Sequence, residues 1–128
     1  MAKLLGRSER VAWLRLARTA RIGPLTFHRL IARHGGAEAA LGGLGNLSRA
    51  SPPIPPSVAE IEDELGKLEN LGAALHCSCE TTYPAMLAQL ETPPPVLAVR
   101  GRAEWLTRPA LAIVGSREAS AAGLRMAR

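Results

Sequence analysis

At 128 residues, 47% hydrophobic and 21% charged with a formal charge of +5, the chain can build one compact core, or a small domain plus part of another, and has too few charges for a disordered tail. No apolar run approaches the roughly 20 residues that cross a bilayer, which excludes a membrane-spanning protein. Two cysteines do not make a disulfide framework, so a reducing, cytoplasmic compartment is expected.

The first element is a helix, with Ser8 as its expected N-cap and Glu9 in the first turn, where the helix dipole favours an acid. Val11, Ala12, Trp13, Leu16, Ala17 and Ala20 recur at helical spacing. The arginines among the leucines of Met1 to Leu16 exclude a secretory signal. They give the start the bias of an organelle transit peptide, but the pattern runs on into folded helix. Gly23-Pro24 breaks this helix and opens the next, with Pro at its first position and Phe27, Leu30, Ile31 and His34 facing inward. Gly35-Gly36 ends it, and a short third helix from about Ala37 to Leu41 stops at Gly42-Gly43. A proline-rich linker over 48–56 follows, because four prolines in the five residues Pro52 to Pro56 exclude helix. Ser57-Val58-Ala59-Glu60 has the form of a capping box, and the stripe Val58, Ile61, Leu65, Leu68 and Leu71 predicts a helix packed against those carrying Trp13 and Leu30. Gly72 ends it.

The pattern then changes. Ala73–Cys77 reads as a strand, Tyr83-Pro84 leads into a helical turn through Leu90, and Pro93-Pro94-Pro95 stops it. Val96–Arg100 is a second strand candidate, ended by Gly101, and a small turn contains Trp105 and Leu106. Ala110–Val114 is a continuous apolar run of the kind found in a buried parallel strand. Gly115-Ser116-Arg117 follows, and a further helix begins near Ser120. The expected architecture is an α-helical domain over 1–72, like a sterile-alpha-motif or helix-hairpin-helix unit. The opening of an α/β Rossmann-like domain over 73–128 follows it, truncated before its remaining strands.

The strongest constellation is the strand-to-helix turn Gly115, Ser116, Arg117 and Ser120. Glycine lets a ligand approach the backbone, free amides and the helix dipole favour an anion, the two hydroxyls add polar contacts, and arginine pairs with phosphate. The dinucleotide fingerprint and the Walker loop are both missing, so a phosphate site without a nucleotide cofactor is one reading and a plain tight turn is the other. The Ile22-to-Gly35 hairpin has basic flanks and reads either as a nucleic-acid phosphate contact or as a structural helical unit. His76-Cys77-Ser78-Cys79 has two thiols on one strand face, which fits packing; no metal is expected. No nucleophile, base and orienting group can be assembled.

Charge is placed unevenly. Residues 1–35 carry eight basic residues against Glu9, residues 36–99 carry eight acids against Arg49 and Lys67, and residues 100–128 carry six arginines against Glu104 and Glu118. Basic ends suggest an anionic partner; solvated helix faces would give the same tally.

Taken together, Trp13-Leu14-x-Leu16, Ile22-Gly23-Pro24, Tyr83-Pro84-x-x-Leu87, Pro93-Pro94-Pro95-Val96-Leu97-x-Val99-Arg100-Gly101 and Ile113-Val114-Gly115-Ser116-Arg117-x-x-Ser120-x-x-Gly123 resemble the DNA-processing protein A family, DprA or Smf. Ala98 departs from it, standing where the family often has an aromatic residue. The resemblance implies a bacterial, cytoplasmic non-enzyme without a cofactor. It implies binding of single-stranded DNA during natural transformation, loading of the RecA recombinase, and a homodimer formed through the missing C-terminal part. It places phosphate binding on Gly115, Ser116, Arg117 and Ser120, with Gly123 completing the motif. The alternatives are a nucleotide- or sugar-phosphate-using enzyme of the related lysine-decarboxylase-like superfamily, and a free-standing helical interaction domain.

Overall fold

The computed structural model describes residues 4–48 and 50–128; Lys3 and Arg49, which enter the charge tally, and position 49 of the linker lie outside them. Four helices, α1 (Arg7–Ala17), α2 (Pro24–His34), α3 (Ala37–Gly42) and α4 (Val58–Asn70), precede strand β1 (Ala73–Cys77). After it come the one-turn helix α5 (Ala85–Ala88), strand β2 (Val96–Arg100), a 3-10 turn (Ala103–Thr107) and helix α6 (Ala121–Met126).

Helix α1 starts earlier than the sequence suggests. Its N-cap is Gly6, not Ser8, because Glu9 then falls at the third position and its carboxylate accepts from the Gly6 amide at 3.0 Å. In α4 the box is reciprocal: Ser57 Oγ accepts from the Glu60 amide, and the Glu60 carboxylate accepts from the Ser57 amide at 2.8 Å. The Ser57 hydroxyl also donates to that carboxylate at 2.7 Å, and it, together with the Ser57 amide, holds the Glu60 carboxyl below its usual range. Gly35 caps α2 in the left-handed conformation at φ 79°, where a side chain would be strained. Gly43 differs: a Cβ there would stand 2.5 Å from the tip of the His34 ring, so a larger residue would require that ring to move.

One core gathers Trp13, Leu14, Leu16, Phe27, Leu30, Ala40, Leu44, Ile61, Leu65, Leu75 and Cys77. Helix α4 packs against α1 and β1, and α2 reaches the same core through α1 and α3. Of the α4 stripe, Ile61 and Leu65 are buried and Leu68 packs at the edge, while Val58 and Leu71, at the helix ends, are exposed. Strands β1 and β2 pair antiparallel with Leu75 opposite Ala98 and Cys77 opposite Val96, so the strand face holding Leu75 and Cys77 lies on the helices. Burial pushes the Cys77 thiol up to about 12, with the nearby Glu80 carboxylate adding to the shift. It is a packed apolar side chain, not a reactive thiolate.

The triple proline is the joint between helices and sheet. Three successive carbonyls accept from three ring donors: Pro93 from His28 Nε2 at 2.8 Å, Pro94 from the Tyr83 hydroxyl at 2.8 Å, and Pro95 from Trp13 Nε1 at 2.9 Å. Proline cannot donate, but its carbonyl is a full acceptor, and this run presents three in a row. Tyr83→Phe removes one donor and leaves the partly buried Pro94 carbonyl unpaired. It is expected to destabilise the fold by about 1 kcal/mol in urea unfolding without changing the unfolding slope.

The expected buried strand over Ala110–Val114 does not form. Leu111 is 86% exposed and Val114 92% exposed, and none of the residues 110–114 joins a backbone ladder. A strand needs a neighbour for its N–H and C=O groups, and the sheet consists of β1 and β2 alone among the described residues. Helix α6 does begin at Ser120, whose hydroxyl accepts from the Gly123 amide at 3.2 Å.

Candidate nucleic-acid interface

The arginines divide into two groups by what they touch. On α1 and the turn after it, each has an internal acceptor. Arg7 forks onto Glu62 and reaches Glu69, and Arg18 forks onto Glu64 at 2.8 and 3.1 Å. Arg10 meets Glu80 at 2.6 Å, Arg15 donates to the Pro56 carbonyl, and Arg21 to that of Ser51. The basic N-terminus and the acidic middle of the chain are therefore partners: α1 lies along α4 with opposite charges facing. The hydrogen bonds from Arg7 hold the Glu62 carboxyl below its usual range and raise Arg7 in turn. Both groups are open to water, so these pairs orient the helices more than they stabilise them.

The second group has no acceptor among the described residues: Arg29 and Arg33 on the outer face of α2, and Arg100, Arg117, Arg125 and Arg128. Four of these six fall in the last 29 residues, and Arg108 there faces only the ring of Trp105. The arginines left open to solvent are thus concentrated in the C-terminal segment, with a smaller patch on α2.

Within that segment, Gly115, Ser116, Arg117 and Ser120 are all exposed on one loop leading into α6. Ser116 Oγ accepts from the Glu118 amide at 3.2 Å, which bends the chain back at Arg117. Nothing lies within 4 Å of the position a Gly115 Cβ would take, so the backbone there is open to a ligand. A Cβ on Gly123 would make only ordinary contacts with Ala119 and Ser120. These residues are neighbours in the chain, and among the described residues the loop brings no further side chain of the fold to them beyond the contacts named here. The loop presents amides, two hydroxyls, the Arg117 guanidinium and the Glu118 carboxylate to solvent.

The Ile22–Gly35 hairpin is partly structural. Phe27 is fully buried, Ile22 lies beneath the turn, and His28 is engaged with Pro93. Cys77 and Cys79 are not joined in a disulfide, Cys79 standing in the turn after β1, and no group of three metal-ligating side chains occurs among the described residues. Trp105 was legible in the sequence only as part of a turn. The signal that could have raised it is the arginine three residues to either side.

Residues 7–66 match the family model described as a DprA-like N-terminal HHH domain, and residues 74–128 match the model described as DNA recombination-mediator protein A. No curated protein matches the chain. The two matches meet between the last turn of α4 and the start of β1. No helix of the described residues is long and apolar enough to cross a membrane.

Proposed function

The chain belongs to the DNA-processing protein A family (DprA, also Smf), and on that premise we propose that it binds single-stranded DNA with its C-terminal segment and hands it to the RecA recombinase. Membership in the family places the protein in DNA processing and recombination. The finer reading is that Gly115, Ser116, Arg117 and Ser120 hold a DNA phosphate, that the protein acts without cofactor or catalysis in the cytoplasm, and that it works as a homodimer.

The observation that carries this reading is Arg117: an exposed guanidinium without an acceptor among the described residues, at the bend of a loop whose Gly115 backbone is open. Phosphate is the anion that a guanidinium fork and backbone amides take together. Arg100, Arg125 and Arg128 add to the same positive field. A flexible single strand can follow such a loop with its backbone while its bases stay free.

The test is a competition experiment. A labelled oligothymidylate is bound to the chain and displaced by unlabelled single strand or by duplex of equal length. Single strand is expected to compete at lower concentration than duplex. Equal competition, duplex preference or no binding would contradict the reading.

A further inference from the structure

Trp105 is 52% exposed, the one large aromatic side chain outside the core. Trp13, Phe27 and Tyr83 are buried at the joint between helices and sheet, whereas Trp105 lies in the segment 104–128, every residue of which is exposed. Its surroundings are specific. The guanidinium carbon of Arg108 stands 4.4 Å from the ring centroid and that of Arg102 stands 5.4 Å from it. The backbone explains the cluster. Residues 103–107 form a 3-10 turn, in which the Trp105 amide donates to the Arg102 carbonyl and the Arg108 amide to the Trp105 carbonyl. Side chains three apart are eclipsed in that geometry, so Arg102, Trp105 and Arg108 line up on one face. Arg102 is also held by Glu104, whereas Arg108 has only the ring.

We propose that Arg102, Trp105 and Arg108 form a base-stacking platform for single-stranded nucleic acid, separate from the phosphate contact at Arg117. This rests on the single-strand reading above and deepens it. Every base has a π-face, and both indole rings and guanidinium planes stack on it, so such a site is sequence-tolerant. The cations serve twice. They lie over the indole and attract the phosphates on either side of the stacked base. The platform stands upstream of the loop on the same exposed segment, so one strand engages the two sites through different parts of its nucleotides: bases at Trp105, backbone at Arg117.

The experiment separates these contributions. Two probes of equal length and charge are titrated into the chain: oligothymidylate, and an abasic oligonucleotide with the same phosphates. The wild type is expected to bind the thymidylate at least about fivefold more tightly than the abasic strand, the low end for one stacked base. Trp105→Ala should abolish that advantage and leave affinity for the abasic strand and its salt dependence unchanged; Trp105→Phe should keep most of it. A readout on unaltered protein stands beside this one. Trp13 is buried, so iodide quenches chiefly Trp105, and the thymidylate should protect it while the abasic strand does not. An advantage that survives in Trp105→Ala, or equal quenching with both probes, would overturn the platform and leave phosphate binding standing. Failure of both probes to bind would overturn the single-strand reading itself.

Discussion

Replacing Glu80 by alanine is expected to destabilise the fold by about 3 kcal/mol, the low end for removing one partner of a buried ion pair. Glu80 follows β1 in a turn, and its carboxylate has no exposed surface. It accepts from the Cys77 amide at 2.8 Å, the Leu5 amide at 3.0 Å and Arg10 Nη2 at 2.6 Å. One side chain therefore ties the chain entering α1, α1 itself and the end of β1. Alanine would leave two amides and a partly buried guanidinium without their acceptor. Arg10 keeps 29% exposure and can turn toward water, which is why the low end applies.

The same carboxylate sets a pH dependence. Burial acts to raise its pKa, but the Cys77 and Leu5 amides and Arg10 outweigh it and hold the group below its usual range. A depressed folded pKa contributes stability that is fully present above the unfolded value, about 4.3, and is lost as pH falls through the folded one. Urea unfolding of the wild type should therefore weaken below about pH 4 more steeply than that of Glu80→Gln, which has no charge to lose.

Phe27→Ala is expected to destabilise by about 3–5 kcal/mol, the range for truncating a buried aromatic side chain. Phe27 is fully buried, with its ring edge-on to Trp13 at 5.0 Å between centroids. Trp13 in turn donates to Pro95, so a cavity here loosens both the helical core and the clamp on the proline run. Urea titration followed by Trp13 fluorescence reads the loss. Phe27→Leu, which refills most of the volume, should lose clearly less.

The elements that were legible in the sequence are those whose information is local. Gly23-Pro24 opens α2 and Gly35 closes it; Ser57 with Glu60 starts α4; and both β1 and β2 run between the residues the sequence marks. Ala110–Val114 has the apolar run of a buried strand but pairs with nothing among the described residues, where the sheet holds β1 and β2 alone. The basic N-terminus is a similar case. Nothing near Arg7 or Arg18 in sequence indicates that Glu62, Glu64 and Glu69, some fifty residues on, will lie against them. Nothing in the sequence sets Glu80 apart from the other acids, and only the fold makes it a buried tie. The Gly115–Ser120 loop was legible as a motif because its residues are contiguous, whereas the arginine–tryptophan cluster needed the 3-10 turn to bring its members into line.

The central claim is that Arg117 holds a DNA phosphate, and a salt titration of single-strand affinity tests it most directly. Each phosphate neutralised on a single strand contributes about 0.7 to the slope of log affinity against log salt. Arg117→Ala should lower affinity for every base sequence alike and make that slope shallower by about this amount. Thermal melting should be unchanged, because the side chain is exposed and touches no part of the core. A folded Arg117→Ala chain with wild-type affinity and wild-type slope would contradict the account.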